Sequence, residues 1–341
     1  MDIDSLSGSF LSFRPEGLFC PPGNFFIDPL RPAPYAVISH AHSDHARAGH
    51  GLVQATPETI AIMKARLGEG SAGSFVEMPL REKRRLGEVD VTLFPAGHVL
   101  GSAQVLLEWH GIRLVFSGDY KCSPDPTCAA FELVPCDIFI TEATFGLPVF
   151  RHPSVEQEIA RLINSLRQSP DRWHLVGAYA LGKAQRVIAE LRRAGYDAPI
   201  FLHGATERLC DVYRSAGVEL GDLRPASAES VSGASPGIVI CPPSALGDRW
   251  SRKFGDAVHA MASGWMQVKG RVRQRGVELP LIISDHADWP ELTETLRATG
   301  AREIWITHGQ ESALMRWCEL EGISARPLHI LGFDDEEEAG A

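Results

Sequence analysis

The sequence predicts an α/β protein in which a β-rich domain is interrupted by an inserted unit of alternating strands and helices. Three observations carry this. Short apolar segments joined by turn residues dominate the first part of the chain, capped helices alternate with apolar strands from about residue 153, and strand-like segments return after Gly276. The order fits a host domain over 1–152 and 279–332 with an insertion over 153–278.

In the host, Ala36 to Ser39, Val89 to Pro95, Gln104 to Trp109 and Ile112 to Ser117 read as strands, the last two joined by a His110-Gly111 turn. One helix intervenes. Thr56 and Pro57 supply its cap and first turn, and Ile60, Met63 and Leu67 recur at helical spacing. Past residue 153, Ser154 with Gln157 reads as a capping box, and Val155, Ile159, Leu162, Ile163 and Leu166 share one helical face. A strand (Leu175 to Ala180), a helix (Ala184 to Arg193), a strand (Pro199 to His203) and a helix (Ala205 to Ser215) follow, the pattern of a small parallel unit. Leu279 to Ser284 and Glu303 to Thr307 then read as strands around a helix from Pro290 to Thr299, and residues 333–341 as a solvated acidic tail.

Composition narrows the class. At 44% hydrophobic and 22% charged residues the chain is expected to fold as a soluble enzyme. No apolar run approaches ~18 residues and the first ten residues lack a basic region before an apolar core, so neither a membrane span nor a signal peptide is expected. The seven cysteines are odd in number and form no CxxC, which points to free thiols in a reducing cytoplasm rather than disulfides or a thiolate zinc site. Of the formal charge of −10, Asp334 to Glu338 supply five negatives. An acidic body meets a polyanion only through a local basic strip or bound cations.

The chemistry-bearing residues sit at strand ends. Directly after Ala36 to Ser39 comes His40-Ala41-His42-Ser43-Asp44-His45, an HxHxDH turn that can send alternate side chains toward two different ions. Imidazole and carboxylate without thiolate suit zinc or a similar divalent ion in a hydrolytic site. Such a turn supplies too few ligands for two ions, and further candidates end later strands: His98 in Ala96-Gly97-His98, Asp119 in Ser117-Gly118-Asp119, and His308 in Thr307-His308-Gly309. Asp28, in Phe26-Ile27-Asp28, suits orienting a ligand rather than binding metal. Of the 13 histidines, His286 after Leu279 to Ser284 shares such a setting, and the remaining seven do not and read as structural.

The order Asp28, HxHxDH, His98, Asp119 resembles the metallo-β-lactamase superfamily. Glu142 in Thr141-Glu142-Ala143-Thr144-Phe145, His286 in Ser284-Asp285-His286-Ala287-Asp288, and His308 resemble the three extra motifs of its β-CASP nucleases, whose β-CASP module is itself an insertion. Gly118-Asp119-Tyr120-Lys121, Thr141 to Gly146, Gly264-Trp265-Met266 and Ser284 to Trp289 are similar to phrases of the bacterial ligase-associated DNA exonucleases. The resemblance implies a metallo-β-lactamase αββα sandwich with an inserted β-CASP α/β domain. It also implies His40, His42 and His98 on one zinc ion, Asp44, His45 and His308 on the other, and Asp119 bridging them, with manganese as the alternative metal. His286 would then protonate the leaving oxygen and Glu142 would orient His286. The implied activity is exonucleolytic hydrolysis of DNA in repair, with an ATP-dependent ligase and a helicase as partners. His308 itself resembles the RNA-processing members, so a ribonuclease of the same architecture stays open. So do a small-molecule hydrolase of the glyoxalase or lactamase type and an inactive nucleic-acid-binding subunit.

Two segments outside these motifs bear on substrate. Gly177 to Lys183 matches the GxxxxGK part of a phosphate loop, but Ala184 stands where a Ser or Thr would meet Mg²⁺. A nucleotide site is therefore not expected, though Lys183 at a helix start could hold a backbone phosphate. Lys269, Arg271, Arg273 and Arg275 alternate with other residues, so an extended segment would present all four on one face to track phosphates, and Trp265 before it reads either as a core residue or as a candidate base-stacking residue.

Overall fold

A computed structural model describes residues 10–328; the tail expected over 333–341 and the side chain of His308 lie outside the described residues. The chain divides into two compact units, one running to Arg151 and resuming at His286, the other spanning His152–Asp285.

The first unit opens with β1 (Ser12–Arg14), β2 (Gly17–Cys20), β3 (Phe25–Ile27), β4 (Tyr35–Val37), β5 (His50–Ala55) and β6 (Ala72–Glu77), which lie side by side in that order. Helix α1 (Pro57–Leu67) joins the last two. Thr56 caps it by accepting a hydrogen bond from the Thr59 amide, and Ile60 and Met63 are buried, as their spacing predicts. A second sheet begins with β7 (Lys83–Leu86), β8 (Val89–Pro95), β9 (Ala103–Trp109), β10 (Ile112–Phe116) and β11 (Ile138–Ala143). Between β9 and β10, His110 and Gly111 take φ of 48° and 80°, the positive pair that a tight two-residue hairpin demands.

The second unit contains α2 (Val155–Gln168), β12 (His174–Gly177), α3 (Lys183–Arg193), β13 (Ile200–Leu202), α4 (Gly204–Ser215), β14 (Leu223–Pro225), α5 (Ala228–Ser232), β15 (Ile238–Cys241), β16 (Val258–Ala262), α6 (Lys269–Gln274) and β17 (Leu279–Leu281). Its sheet runs β14-β13-β15-β12-β16-β17, every pair parallel. Strands β12, β13 and β15 are buried throughout, as parallel strands covered on both faces must be. Such short continuous runs carry no alternation, so β15 and β16 leave no periodic mark in the sequence. Strand β17 was expected to rejoin the host but pairs with β16, extending the parallel ladder at its free edge. The chain re-enters the first unit only at His286.

There, α7 (Trp289–Ala298), β18 (Glu303–Gly309), α8 (Glu311–Glu321) and β19 (Ser324–Pro327) complete the second sheet as β19-β18-β11-β10-β9-β8-β7. Period-2 alternation splits this sheet cleanly. Val91, Val105, Leu107, Leu114, Phe116, Ile138 and Ile140 join Leu18, Phe25, Ile27 and Val37 of the first sheet in one core. Leu106, Val115, Phe139, Ile304 and Ile306 face the other way, onto Trp289, Leu292 and Leu296 of α7 and Leu314 and Cys318 of α8. The fold is the αββα sandwich with an inserted α/β unit. Among the described residues no helix is long and apolar enough to cross a membrane.

Candidate metal centre

Asp28 sets the geometry of the HxHxDH turn. It follows β3 with φ of 42°, and its Oδ1 accepts the Ser39 amide at 2.7 Å while its Oδ2 accepts the Ser39 hydroxyl and lies 2.7 Å from His45 Nδ1. This ties the end of β4 to the fourth metal-capable group of the turn. With Nδ1 engaged, His45 turns Nε2 toward Asp119 Oδ2 at 3.4 Å and Asp44 Oδ2 at 3.6 Å. The Arg66 guanidinium, on the last turn of α1, donates to the carbonyl of Ala41 and holds the turn from its other side.

The remaining groups converge on the same point. His40 Nε2 lies 3.5 Å from Asp119 Oδ2 and 3.2 Å from His42 Nδ1, and His98 Nε2 lies 2.9 Å from His42 Nδ1 and 3.7 Å from Asp119 Oδ2. One ligand atom each from His40, His42, His98 and Asp119 falls within 4.8 Å of the others, and the same holds for His40, Asp44 and His45. All six residues are buried. His308 is the penultimate residue of β18, and its side chain lies outside the described residues.

The donor set fits divalent cations. Burial pushes the His40 pKa well below the ordinary histidine value, helped by the nearby His45, so its imidazole is neutral with a lone pair to give. Burial also acts to lower His45, but the carboxylates of Asp119 and Asp44 outweigh it and hold its pKa well above the usual range. Buried carboxylates that raise the pKa of a neighbouring histidine make a place that favours positive charge. The neighbouring ring nitrogens stand 2.9–3.2 Å apart, each an atom that can ligate an ion, and no thiolate is among the converging groups.

Glycines let the backbone approach the cluster. Gly97 takes φ of +73°, and a Cβ there would stand 2.2 Å from the Lys121 carbonyl oxygen and 3.0 Å from the Phe131 amide nitrogen. Gly97→Ala is expected to destabilise the fold by about 2–4 kcal/mol, combining left-handed strain with overpacking against backbone that cannot yield. Thermal unfolding of the purified variant checks this; an unchanged Tm would mean that the His98 loop shifts freely.

Beside the cluster stands a second buried pair. His286 Nδ1 lies 2.9 Å from Glu142 Oε2, and the His286 ring centroid is 4.6 Å from that of His98. The Glu142 carboxylate is fixed by the Tyr120 amide at 2.8 Å and by the Thr144 hydroxyl at 2.6 Å. The sequence marks Glu142 and His286 but offers no sign of Arg66, whose partner is a backbone carbonyl 25 residues away.

The second unit corrects the substrate-binding expectations. Lys183 is fully buried with its ammonium on the Asp285 carboxylate, so it is not available to a phosphate; an interior lysine keeps its charge only beside such a partner. The segment expected to be extended is α6. Lysine, arginine and glutamine favour helix, and Gly276 ends the segment with φ of +60°. At ~100° per residue the four cations split between opposite faces, Lys269 and Arg273 exposed, Arg271 and Arg275 half-buried. The Arg271 guanidinium stacks 4.0 Å from the centroid of Trp265, which is buried, so that indole is not open to a base.

Comparison with known proteins bears on the first unit above all. The metallo-beta-lactamase superfamily profile matches residues 28–173, from Asp28 through the whole cluster to Glu142. Residues 28–173 thus carry a metallo-β-lactamase superfamily domain. It is 29% identical over 330 residues to a probable DNA ligase of Opitutus terrae, a match covering 95% of this chain and 31% of that protein. The endoribonuclease ysh1 of Aspergillus fumigatus is 33% identical over 138 residues, covering 37% of this chain and 16% of the relative. The cleavage and polyadenylation specificity factor subunit 3 of Dictyostelium discoideum is 32% identical over 146 residues, covering 40% and 19%. These matches agree with the β-CASP branch of the superfamily. The chain spans a third or less of the length of these relatives. A protein of unknown function from Enterococcus faecalis V583 shares the fold, with TM-score 0.59 and 14% identity over 88% of this chain and 80% of the other.

Proposed function

We propose that this chain is a zinc-dependent DNA exonuclease acting in repair beside an ATP-dependent ligase and a helicase. The observation that carries it is the His286–Glu142 pair standing against the buried His/Asp cluster, because an alkoxide leaving group needs both charge stabilisation and a proton. In this reading the host domain runs to Arg151 and resumes at His286, and His152–Asp285 is the β-CASP unit.

His40, His42 and His98 would hold one divalent ion, Asp44, His45 and His308 the other, with Asp119 shared; zinc suits the ligands and manganese is the alternative. Bound ions supply Lewis acidity toward a phosphoryl oxygen and a nucleophile ready at neutral pH. The chain's own part is proton management. With Nδ1 held by Glu142, His286 offers its other nitrogen to the leaving sugar oxygen, and the carboxylate stabilises the imidazolium until transfer. A P–O bond to hydroxide forms as the ester P–O bond breaks, the departing alkoxide takes the His286 proton and leaves as the alcohol, and the proton released when the next water becomes hydroxide restores His286. Asp28 acts through His45, not on substrate.

DNA is favoured over RNA because the match to a protein named as a DNA ligase covers 95% of this chain, whereas the two endoribonuclease-type matches cover 37% and 40%. Two thirds of that ligase lie beyond the match, which supports a working association between the two activities. Seven free cysteines fit a reducing cytoplasm. The ribonuclease alternative draws on the relatives whose names specify RNA processing. Single-stranded and duplex DNA and RNA, labelled at either end, test the proposal. Stepwise loss from one DNA end is expected; internal cuts, or RNA degraded in preference, would replace it with the ribonuclease reading.

A further inference from the structure

Among the buried charges that this chemistry leaves unused, one pair links two segments of the first unit's site. Lys121, two residues after Asp119, is buried with its Nζ 2.5 Å from Glu291 Oε2. Glu291 is the third residue of α7, and its carboxylate also accepts the Ser123 amide at 2.7 Å, the Ser123 hydroxyl, and the Asp288 amide at 3.2 Å. Asp288 is the N-cap of α7 and stands two residues after His286. A glutamate at this position ordinarily completes a capping box, reaching back to the N-cap amide. Here the same carboxylate also neutralises an interior lysine from a loop 170 residues away. The backbone makes a second link: the Ala287 amide donates to the Tyr120 carbonyl at 2.7 Å, and the Tyr120 amide donates to Glu142. The segment carrying Asp119 therefore grips the segment carrying His286 at two points, one by main chain and one by the ion pair.

We propose that Lys121 and Glu291 are positioning residues for His286, fixing the start of α7 so that the imidazole meets the leaving oxygen at the right distance from Asp119. The inference rests on His286 as the proton donor. Neither residue meets substrate, so loss of the pair must be felt where proton donation limits the rate and nowhere else. Displacement of a catalytic group by about 1 Å can lower a rate roughly 10²-fold, which sets the scale.

Lys121→Met keeps the side-chain length, removes the charge and leaves Glu291 its Ser123 and Asp288 donors. The full-length, zinc-loaded variant is expected to keep its metal content and to hydrolyse bis(4-nitrophenyl) phosphate within about twofold of the parent. Its kcat on a DNA oligonucleotide should fall roughly 10- to 100-fold. Lys121→Arg should recover much of this loss, and Lys121→Met should add nothing on DNA in a His286→Ala background, because the two act in series. Equal loss on both substrates, no loss on either, or an additive loss in the His286→Ala background overturns the proposal and makes the pair a structural brace. If Lys121→Met fails to fold, Glu291→Gln is read by the same criteria. His286→Ala alone separates the two ideas. If it impairs both substrates alike, the proton-donor reading fails; if it is selective for DNA and Lys121→Met is not, only the positioning role fails.

Discussion

Asp119→Asn is expected to bring hydrolysis of every phosphodiester to background, a loss on the order of 10³-fold or more. The substitution keeps the shape of the side chain and removes its charge at the point where His40, His45 and His98 lie within 3.4–3.7 Å of one oxygen. A neutral amide cannot balance cations shared between two sets of ligands, and it gives up one of its two acceptor oxygens. Metal analysis should find about two ions per chain in the parent and fewer in the variant, since carboxylate and imidazole without thiolate suit a dinuclear centre. Full activity with a single ion in the parent would sink the two-metal scheme. Retained activity in Asp119→Asn would remove that residue from the bridge.

The second large effect separates two histidines with identical side chains. His286→Ala should lower the rate on DNA by about 10²- to 10⁴-fold, because a sugar alkoxide leaves poorly without a proton. On a nitrophenyl phosphodiester, whose leaving group is stable unprotonated, the same variant should be impaired far less and should keep both metals. The 2.9 Å contact with Glu142 is what makes the donor role specific: it occupies Nδ1 and orients the ring. Glu142→Gln should accordingly repeat the leaving-group pattern in weaker form. His308→Ala should instead lose or loosen one ion and impair both substrates alike. If His286→Ala impairs both equally and lowers the metal content, the two roles are reversed and His286 is a ligand.

Much of this protein is determined by patterns within a few residues. The HxHxDH turn, the strand-terminal His98 and Asp119, the Thr56–Pro57 helix start and the His110-Gly111 hairpin all follow from backbone periodicity, capping and turn stereochemistry, which neighbouring residues settle among themselves. The texture change near residue 153 likewise reflects a switch of local period, and the parallel sheet of the second unit begins there. What only the tertiary structure decided concerns the partners of charges and the cover over aromatic rings. Lys183 reads in the sequence as open to a phosphate and Lys121 carries no local sign of a partner, yet each is buried against a carboxylate more than a hundred residues away. Trp265 is closed off by Arg271, which requires α6 to be helical where alternation alone suggested an extended strip. Strand β17 stays with the inserted sheet because β16 offers an edge, a fact of spatial order rather than of its own residues. The physical reason is common to all of these. A local pattern selects among backbone states that differ by tenths of a kcal/mol per residue, whereas the fate of a charged or edge group depends on a desolvation penalty of several kcal/mol that exists only once distant elements have packed around it.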